Sequence, residues 1–444
     1  MKSSMRTLLT RLSLVCVAYA GIGAIPIAVQ AQPIGDEFQV NSTTVNHQRA
    51  PDVATDDQGN FVIVFQNWLA GTGANVAAQR YRSTGERLGG EFQINTTANS
   101  DLTLPAIAMT PDGDFVVVWQ DFGDDGSGFG IFAQRYSSDG QAQGPNIPVN
   151  TTVDDAQRRS DVAMSGNGNF VVVWEDDTVG NNKRGIRGQR FDALGSPQGS
   201  EFDISTDPDI DHTYPKVAMD TLGNFVVGWS AGTVGANQDV VFRRFDLNGL
   251  PLGQSVQVNV TSKMDSASGV VNNMSIDSDN LGNFVVAWRA DNFSGPGISG
   301  LAVGILARRY DKDGNPLGAP FEVHTDQASF TGAPEVVVLP DGEFAIAYEA
   351  TDDSLTGIFE RVYSSNGQPI GPAAQLNTTT DLIQDRPAVA LNGAGGGVVT
   401  WRATRDQDGD RDGIFARMFA YDDGMSSENR VLKAVCAVEN VCSK

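Results

Sequence analysis

The stretch Gly168–Trp174, "GNFVVVW", decides the fold because it does not stand alone. "GDFVVVW" ends at Trp119, "GNFVVGW" at Trp229, "GNFVVAW" at Trp288 and "GEFAIAY" at Tyr348. Aligned on the closing aromatic, the series is Phe65, Trp119, Trp174, Trp229, Trp288, Tyr348 and Trp401, spaced by 54, 55, 55, 59, 60 and 53 residues. Seven units of one length class mark a repeat architecture, in which each unit buries its apolar faces against its neighbours. The phrase is scaffold, and packing between units accounts for five of the six Trp residues.

Each unit carries four short apolar stretches separated by turn signals. The first reads "PDVATD" (51–56), "PAIAMT" (105–110) or "PKVAMD" (215–220), with Pro at its start in five of seven units and Ser160 or Met274 in the others. Pro is tolerated at the first residue of a strand, so it is predicted to open this one. The second stretch is the "FVVVW" phrase, preceded by a turn whose Gly recurs at 59, 113, 168, 223, 282, 342 and 395. The third reads "IFAQRY" (131–136), "IRGQRF" (186–191) or "IFARMF" (414–419), with Gly four residues after the aromatic in six units. The fourth reads "FQVN" (38–41), "FQIN" (92–95) or "FEVH" (321–324) and alternates apolar with polar residues, as a half-buried strand does. No long helical period competes. The pattern predicts an all-β, seven-bladed β-propeller of four-stranded antiparallel blades.

The chain opens on a fourth-type strand and its seventh unit ends after a third-type strand. Phe38–Asn41 is therefore predicted to close the ring as the outer strand of the last blade. "VLKAV" at 431–435 is the rival for that edge.

The N-terminus has Lys2, Arg6 and Arg11, then "LSLVCVAYAGIGAIPIA", then Val29-Gln30-Ala31 with small residues where a signal peptidase reads. The expected division is a signal peptide over 1–31, the propeller over 32–421 and a C-terminal tail over 422–444. Loss of the signal removes three positive charges and takes the net charge from −23 to −26. So acidic a chain is a poor partner for nucleic acid or anionic lipid, and no other segment is long and apolar enough to span a membrane. Only Cys436 and Cys442 remain in the mature chain. They permit one small disulfide loop and cannot staple a ring of this size.

Function is expected on one face. With the "VAMD" strand innermost, the first-to-second and third-to-fourth turns share a face of short uniform turns. The second-to-third loops and the blade crossings share the other, where all the variation lies, and specificity is normally placed in such loops. Trp68 is the single Trp outside the repeat position and falls in one of these loops. Asp209, Asp211, His212 and Tyr214 form a polar knot in a crossing, the last three being the candidate binding residues. "DGDRDG" places Asp408, Asp410 and Asp412 on alternate residues before Gly413, the opening of an oxygen-rich Ca2+ loop, although the twelfth position, which should be Glu, is Phe419. His47, His212 and His324 are scattered over different blades. The repeated Arg80, Arg135, Arg190, Arg244 and Arg309 belong to the scaffold. The "NST", "NTT" and "NVT" triplets at Asn41, Asn95, Asn150, Asn259 and Asn377 recur at one strand end, which favours side chains satisfying the backbone over glycosylation.

The composite unit "GNFVVVW…GIFAQRYxxxG…GxxFQVNTT…PxVAM", over about residues 38–420, resembles a repeat of large exported bacterial surface and adhesin-like proteins. The resemblance implies a secreted or cell-surface location and a binding role, and it supplies no catalytic residue. The resulting expectation is a monomeric, non-enzymatic module that engages an extracellular protein or glycan through its variable face, with or without Ca2+. The competing expectation is a glycan-active enzyme, a sialidase-like hydrolase or a lyase, working at the central channel. Exposed aromatics beside charged groups in the channel mouth would favour a lectin or enzyme, and a flat polar face would favour protein partners.

Overall fold

Valine-rich stretches bounded by glycine turns form strands wherever the repeat places them. The computed structural model describes residues 31–421, apart from 70–72, 97–103, 124–125, 178–182, 233–236, 260–263, 266–273, 294–301, 327–331, 353–354, 381, 393–395 and 405–406. The signal segment up to residue 30, the tail from 422 with Cys436 and Cys442, and Gly395 lie outside the described residues. Seven antiparallel sheets form a ring, and the described residues contain no α-helix. Blade 1 is built from Gln48–Thr55, Phe61–Leu69, Gly73–Tyr81 and Phe92–Gln93, in that order from the channel outward. Blades 2 to 6 repeat this order. Blade 4 adds Met264–Asp265 beside the far end of its third strand. No helix among the described residues is long and apolar enough to cross a membrane.

Blade 7 is closed by the N-terminal strand, as predicted. Its own chain supplies Gln384–Leu391, Gly396–Ala403 and Gly413–Tyr421, and the fourth strand is Ala31–Gln39, with Phe38 opposite Ala416. The closing strand is longer than Phe38–Asn41. It pairs from Ala31 onward and bulges between Ile34 and Phe38. The bulge leaves Glu37 to accept the N–H and hydroxyl of Thr378 in blade 6, at 2.8 and 2.9 Å. Glu91 holds Ser42, and Glu201 holds Thr151 and Thr152, in the same way.

The core is seven cores, one in each gap between blades. Trp174 packs with Val116, Val118 and Ile131 of blade 2, and Trp229 with Val171, Val173 and Ile186 of blade 3. Phe65 fills the corresponding gap between blades 7 and 1. The first and last aromatics of the hairpin stack in blades 1 to 6, as in Phe115 on Tyr136 at 4.8 Å and Phe344 on Tyr363 at 4.9 Å. Each gap thus buries large apolar area, and aromatic pairs of this kind add about 0.5–1.5 kcal/mol beyond it.

The repeated polar residues serve the same scaffold. The Asn95, Asn150, Asn259 and Asn377 side-chain carbonyls accept the N–H of Val76, Ile131, Val240 and Ile358 at 2.6–2.8 Å, and Asn41 accepts that of Ile414. All five are almost wholly buried. Each repeated Arg reaches the third-to-fourth turn of the next blade. Arg135 donates to Leu194 O and Arg190 to Leu247 O, both at 2.8 Å, and Arg80 to Ser138 O at 2.7 Å. The turn Gly beneath each Arg has a left-handed φ, +84° at Gly140. A Cβ there would stand 2.7 Å from Arg80 Nη1, so both backbone angle and space require glycine.

One expectation is corrected. Pro51, Pro215 and Pro387 do not open their strands but sit inside longer ones, at bulges marked by register shifts between Arg49 and Asp52, Thr213 and Lys216, and Asp385 and Ala388. Blade 3 has the same bulge with Ser160 in place of Pro. A bulge leaves one residue outside the ladder, which is where a residue without an N–H costs nothing.

Candidate functional site

In five blades the residue before the Pro or Ser has a positive φ, at the four bulges and at Leu104: Ala50 +48°, Leu104 +36°, Arg159 +51°, Tyr214 +55° and Arg386 +54°. Such angles are strained for residues bearing a Cβ and persist only where the surroundings impose them. The imposing contact is inter-blade. The residue after the core aromatic of one blade accepts the N–H of the strained residue of the next. Gln120 holds Arg159 at 2.8 Å, Glu175 holds Tyr214 at 2.7 Å and Glu349 holds Arg386 at 2.6 Å. Five blades share this backbone, whereas the side chains it carries are Ala, Leu, Arg, Tyr and Arg.

These bulges rim the central channel on the variable face. Ala50, Pro51, Leu104, Arg159, Glu349 and Arg386 line a mouth cavity of about 820 Å³, its open side included. Arg159 lies over the Tyr214 ring at 4.5 Å, and its Nη1 bonds Glu175 at 2.6 Å. Burial pushes the Glu175 and Glu349 carboxyls above the usual range. Arg159 works against this at Glu175, and Asp385 adds to it at Glu349. The mouth therefore carries charged and apolar side chains together, with the Tyr214 ring packed against Arg159.

Below the mouth the channel is polar. Asp52, Asp161, Lys216 and Glu335 stand at the next position of blades 1, 3, 4 and 6 and line both the mouth cavity and the wider lumen beneath it. Lys216 Nζ lies 3.6 Å from Glu335 and 3.9 Å from Asp161. Asp52 accepts the Ile107 N–H of blade 2 at 2.9 Å, Asp161 that of Val217 at 2.8 Å and Asp277 that of Val338 at 2.7 Å. Burial pushes Asp52 and Asp277 up to about 7, with Lys216 working against this at Asp52. Lys216 is pushed up because Glu335, Asp161 and Asp52 outweigh its burial. Lys216, Asp161 and Glu335 keep 15–22% of their side-chain surface open, so channel water reaches this cluster.

The sequence-selected residues have different fates. Trp68 is half-buried on the variable face, its main-chain N–H donating to His47 O at 2.9 Å. Asp211 is buried and ion-paired with Lys183 at 3.2 Å. His212 is structural: Nδ1 accepts the Trp229 indole N–H at 2.9 Å and Nε2 donates to Asp207 O at 2.8 Å. Both ring nitrogens are used, and burial pushes its pKa down. Of that polar knot, Tyr214 packs against Arg159, which lines the mouth.

Asp408, Asp410 and Asp412 do not converge as a calcium loop requires. Asp408 accepts from Asn41 Nδ2 at 3.1 Å, Asp410 from the Asn46 N–H at 2.8 Å, and Asp412 from Arg49 Nε at 2.7 Å. Among the described residues no three His, Cys, Asp or Glu side chains are grouped to hold a metal ion. Asp412 instead pairs with His47, Oδ2 to Nδ1 at 2.8 Å. Arg49 Nη2 lies 3.0 Å from the same Nδ1 and Arg411 Nη1 3.2 Å from Nε2, so both ring nitrogens are engaged. Arg49, His47 and Arg402 together hold the Asp412 carboxyl below its usual range against its burial. The pairing joins residues at opposite ends of the ring closure, so no local motif announces it. The channel cluster did leave a signal: a charged residue right after the Pro or Ser position of an otherwise apolar strand, at Asp52, Asp161, Lys216 and Glu335.

No family model and no curated protein matches the chain. Among solved structures, a protein of unknown function from Dyadobacter fermentans is 12% identical at TM-score 0.52, covering 89% of this chain and 99% of that one. Polysaccharide lyase Uly1 is 8% identical at TM-score 0.51, covering 91% and 94%. An ulvan lyase bound to -[GlcA(1-4)Rha3S]- is 10% identical at TM-score 0.50, covering 87% and 94%. At these identities the chain is similar to all three in fold.

Proposed function

We propose that this protein is an exported carbohydrate-binding propeller that holds a glycan at the mouth of its central channel. The observation carrying this reading is a strained backbone shared by five blades that presents unlike side chains, Ala50, Leu104, Arg159 and Arg386, around one cavity, with Tyr214 packed against Arg159. A ring that repeats its backbone and varies its side chains at one rim is specialised there. Tyr214 backed by Arg159, with Trp68 farther out on the same face, offers apolar ring surface beside hydrogen-bonding groups, the combination a sugar ring needs. The ulvan lyase bound to its saccharide is an example of this fold engaged with a glycan. The signal-like N-terminus and the resemblance to exported surface repeats support an extracellular setting.

The test is a glycan array on the signal-free protein, followed by calorimetry of any hit with Tyr214→Ala and Trp68→Ala. Saturable binding weakened by Tyr214→Ala is expected. Binding indifferent to both substitutions would move the site off the mouth, and the absence of any glycan binding would sink the reading.

A second reading, a glycan-active enzyme, is favoured by one feature. His47 is oriented by Asp412, and Glu349 is held toward its protonated form, so a base and an acid occur on one face. Release of reducing ends or of unsaturated uronate from acidic polysaccharides, lost in His47→Gln and Glu349→Gln, would support it. No turnover by the wild-type protein would exclude it for the polymers tried.

A further inference from the structure

Three guanidinium groups crowd one side of the mouth, and they are not equally occupied. Arg402 is committed to Asp385, with Nε to Oδ1 at 2.7 Å and Nη2 to Oδ2, and its Nη1 lies 3.7 Å from Asp412. Arg49 is committed to Asp412 at 2.7 Å. Arg386 differs: its main-chain N–H is taken by Glu349, but its guanidinium makes no hydrogen bond among the described residues. It lines the mouth cavity on a backbone whose φ of +54° is imposed by that same N–H contact.

We propose that Arg386 is the anion-binding residue of the mouth and that the sugar it selects is a uronic acid, held through its carboxylate. This rests on the carbohydrate reading above and sharpens it. Burial presses the Arg386 guanidinium toward losing its charge, and the neighbouring Arg402 and Arg49 charges press the same way. The carboxylates that could answer are only partly available. Asp385 is bridged by Arg402, and Glu349, pushed up by burial and by Asp385, carries less negative charge near neutrality than an ordinary Glu. A ligand carboxylate would relieve this crowding, and its two coplanar oxygens match the planar fork of guanidinium donors.

The surroundings narrow the choice. Pro51, Pro105, Pro215 and Pro387 line the cavity, and their flat, donor-free surfaces suit the face of a pyranose ring. The chain carries a net −23, so a dense polyanion is repelled outside the mouth, over about the 8 Å screening length of physiological salt. The fit is a chain in which carboxylated sugars are separated by neutral ones. One unoccupied planar fork engages both oxygens of a carboxylate but only two of the three outer oxygens of a sulfate ester.

The experiment is calorimetry with a tetrasaccharide in which glucuronate alternates with a neutral sugar, its carboxyl-reduced form, and a sulfated neutral tetrasaccharide. Each is titrated into wild-type protein, Arg386→Gln and Arg386→Lys, with thermal melts to verify folding. Wild type should prefer the glucuronate form by about tenfold or more. Arg386→Gln should lose that preference while keeping the affinity for the reduced form, and Arg386→Lys should retain part of it. Equal affinity for acid and reduced forms, an acid preference that survives Arg386→Gln, or an equal grip on the sulfated sugar would overturn the assignment and leave the carbohydrate reading standing. Failure of all three saccharides to bind would overturn both.

Discussion

The molecule uses arginine in two ways, and the difference between them separates scaffold from site. On the uniform face, Arg80, Arg135, Arg190, Arg244 and Arg309 perform one task five times, donating to carbonyl oxygens of the next blade's turn. On the variable face, Arg159 and Arg386 share one repeat position and line the mouth, Arg49 and Arg402 hold two other positions beside Arg386, and their guanidinium groups are engaged differently. The first set is periodic along the chain and scattered in space. The second is irregular along the chain and assembled in space. A residue type tells nothing here until its period is known.

Substitutions can break that contrast, the largest expected effect first. Trp174→Ala should lower stability by about 3–5 kcal/mol, because a fully buried side chain leaves a cavity between blades 2 and 3. Trp68→Ala, on the variable face, should cost about 1 kcal/mol or less. Denaturant unfolding of the two variants checks this, and equal losses would mean that the two faces are not distinct. Asn150→Ala comes next, at about 1–3 kcal/mol, since it strands the buried Ile131 N–H. Retention of wild-type stability there would return the Asn-Thr-Thr triplets to the glycosylation reading. Arg190→Ala should cost about 1 kcal/mol, one hydrogen bond in a partly exposed setting, whereas Arg386→Gln should leave the melting temperature unchanged or raise it.

The smallest effect concerns pH. The folded-state pKa values of Asp52 and Asp277, about 7, lie above the ordinary 3.8, so the folded protein binds protons that the unfolded chain releases between those values. This contribution is complete below about 3.8 and is lost as pH rises through about 7. Melting temperature should therefore decline by a few degrees between about pH 5 and about pH 8. Asp277→Asn should flatten the decline, and an unchanged slope in that variant would place the channel carboxyls in ordinary water.

The fold was open to reading because its determinants repeat. Val116–Trp119 and Val171–Trp174 are legible as strands singly and decisive together, and Phe38 could be assigned to the last blade by counting strand types. The strand reach back to Ala31 was not legible, since "QPIGDE" shows no alternation and is held by pairing with residues 413–421. The site was half legible. Strand order puts the variable loops on one face, and Tyr214 packs there against Arg159. His212 misled because its partner, the Trp229 indole, is on the neighbouring strand and looks in sequence like pure core. His47 and Asp412 carry no mark of each other across the chain. Lys216 and its carboxylates come from four blades and meet only because the ring closes. Periodicity reports what each blade does for its neighbour, and the channel is where non-neighbours meet.

The closing strand has a temporal consequence. Ala31–Gln39 is made before any blade, yet its partner Gly413–Tyr421 is the last strand of the ring. Contacts so distant in sequence form late and slowly. Throughout synthesis the first strand waits with an unpaired edge, and the channel has no wall on that side. The mouth, whose rim includes Ala50 of blade 1 and Arg386 of blade 7, exists only after that final pairing. A chain truncated before residue 413 could build six blades and still have no site.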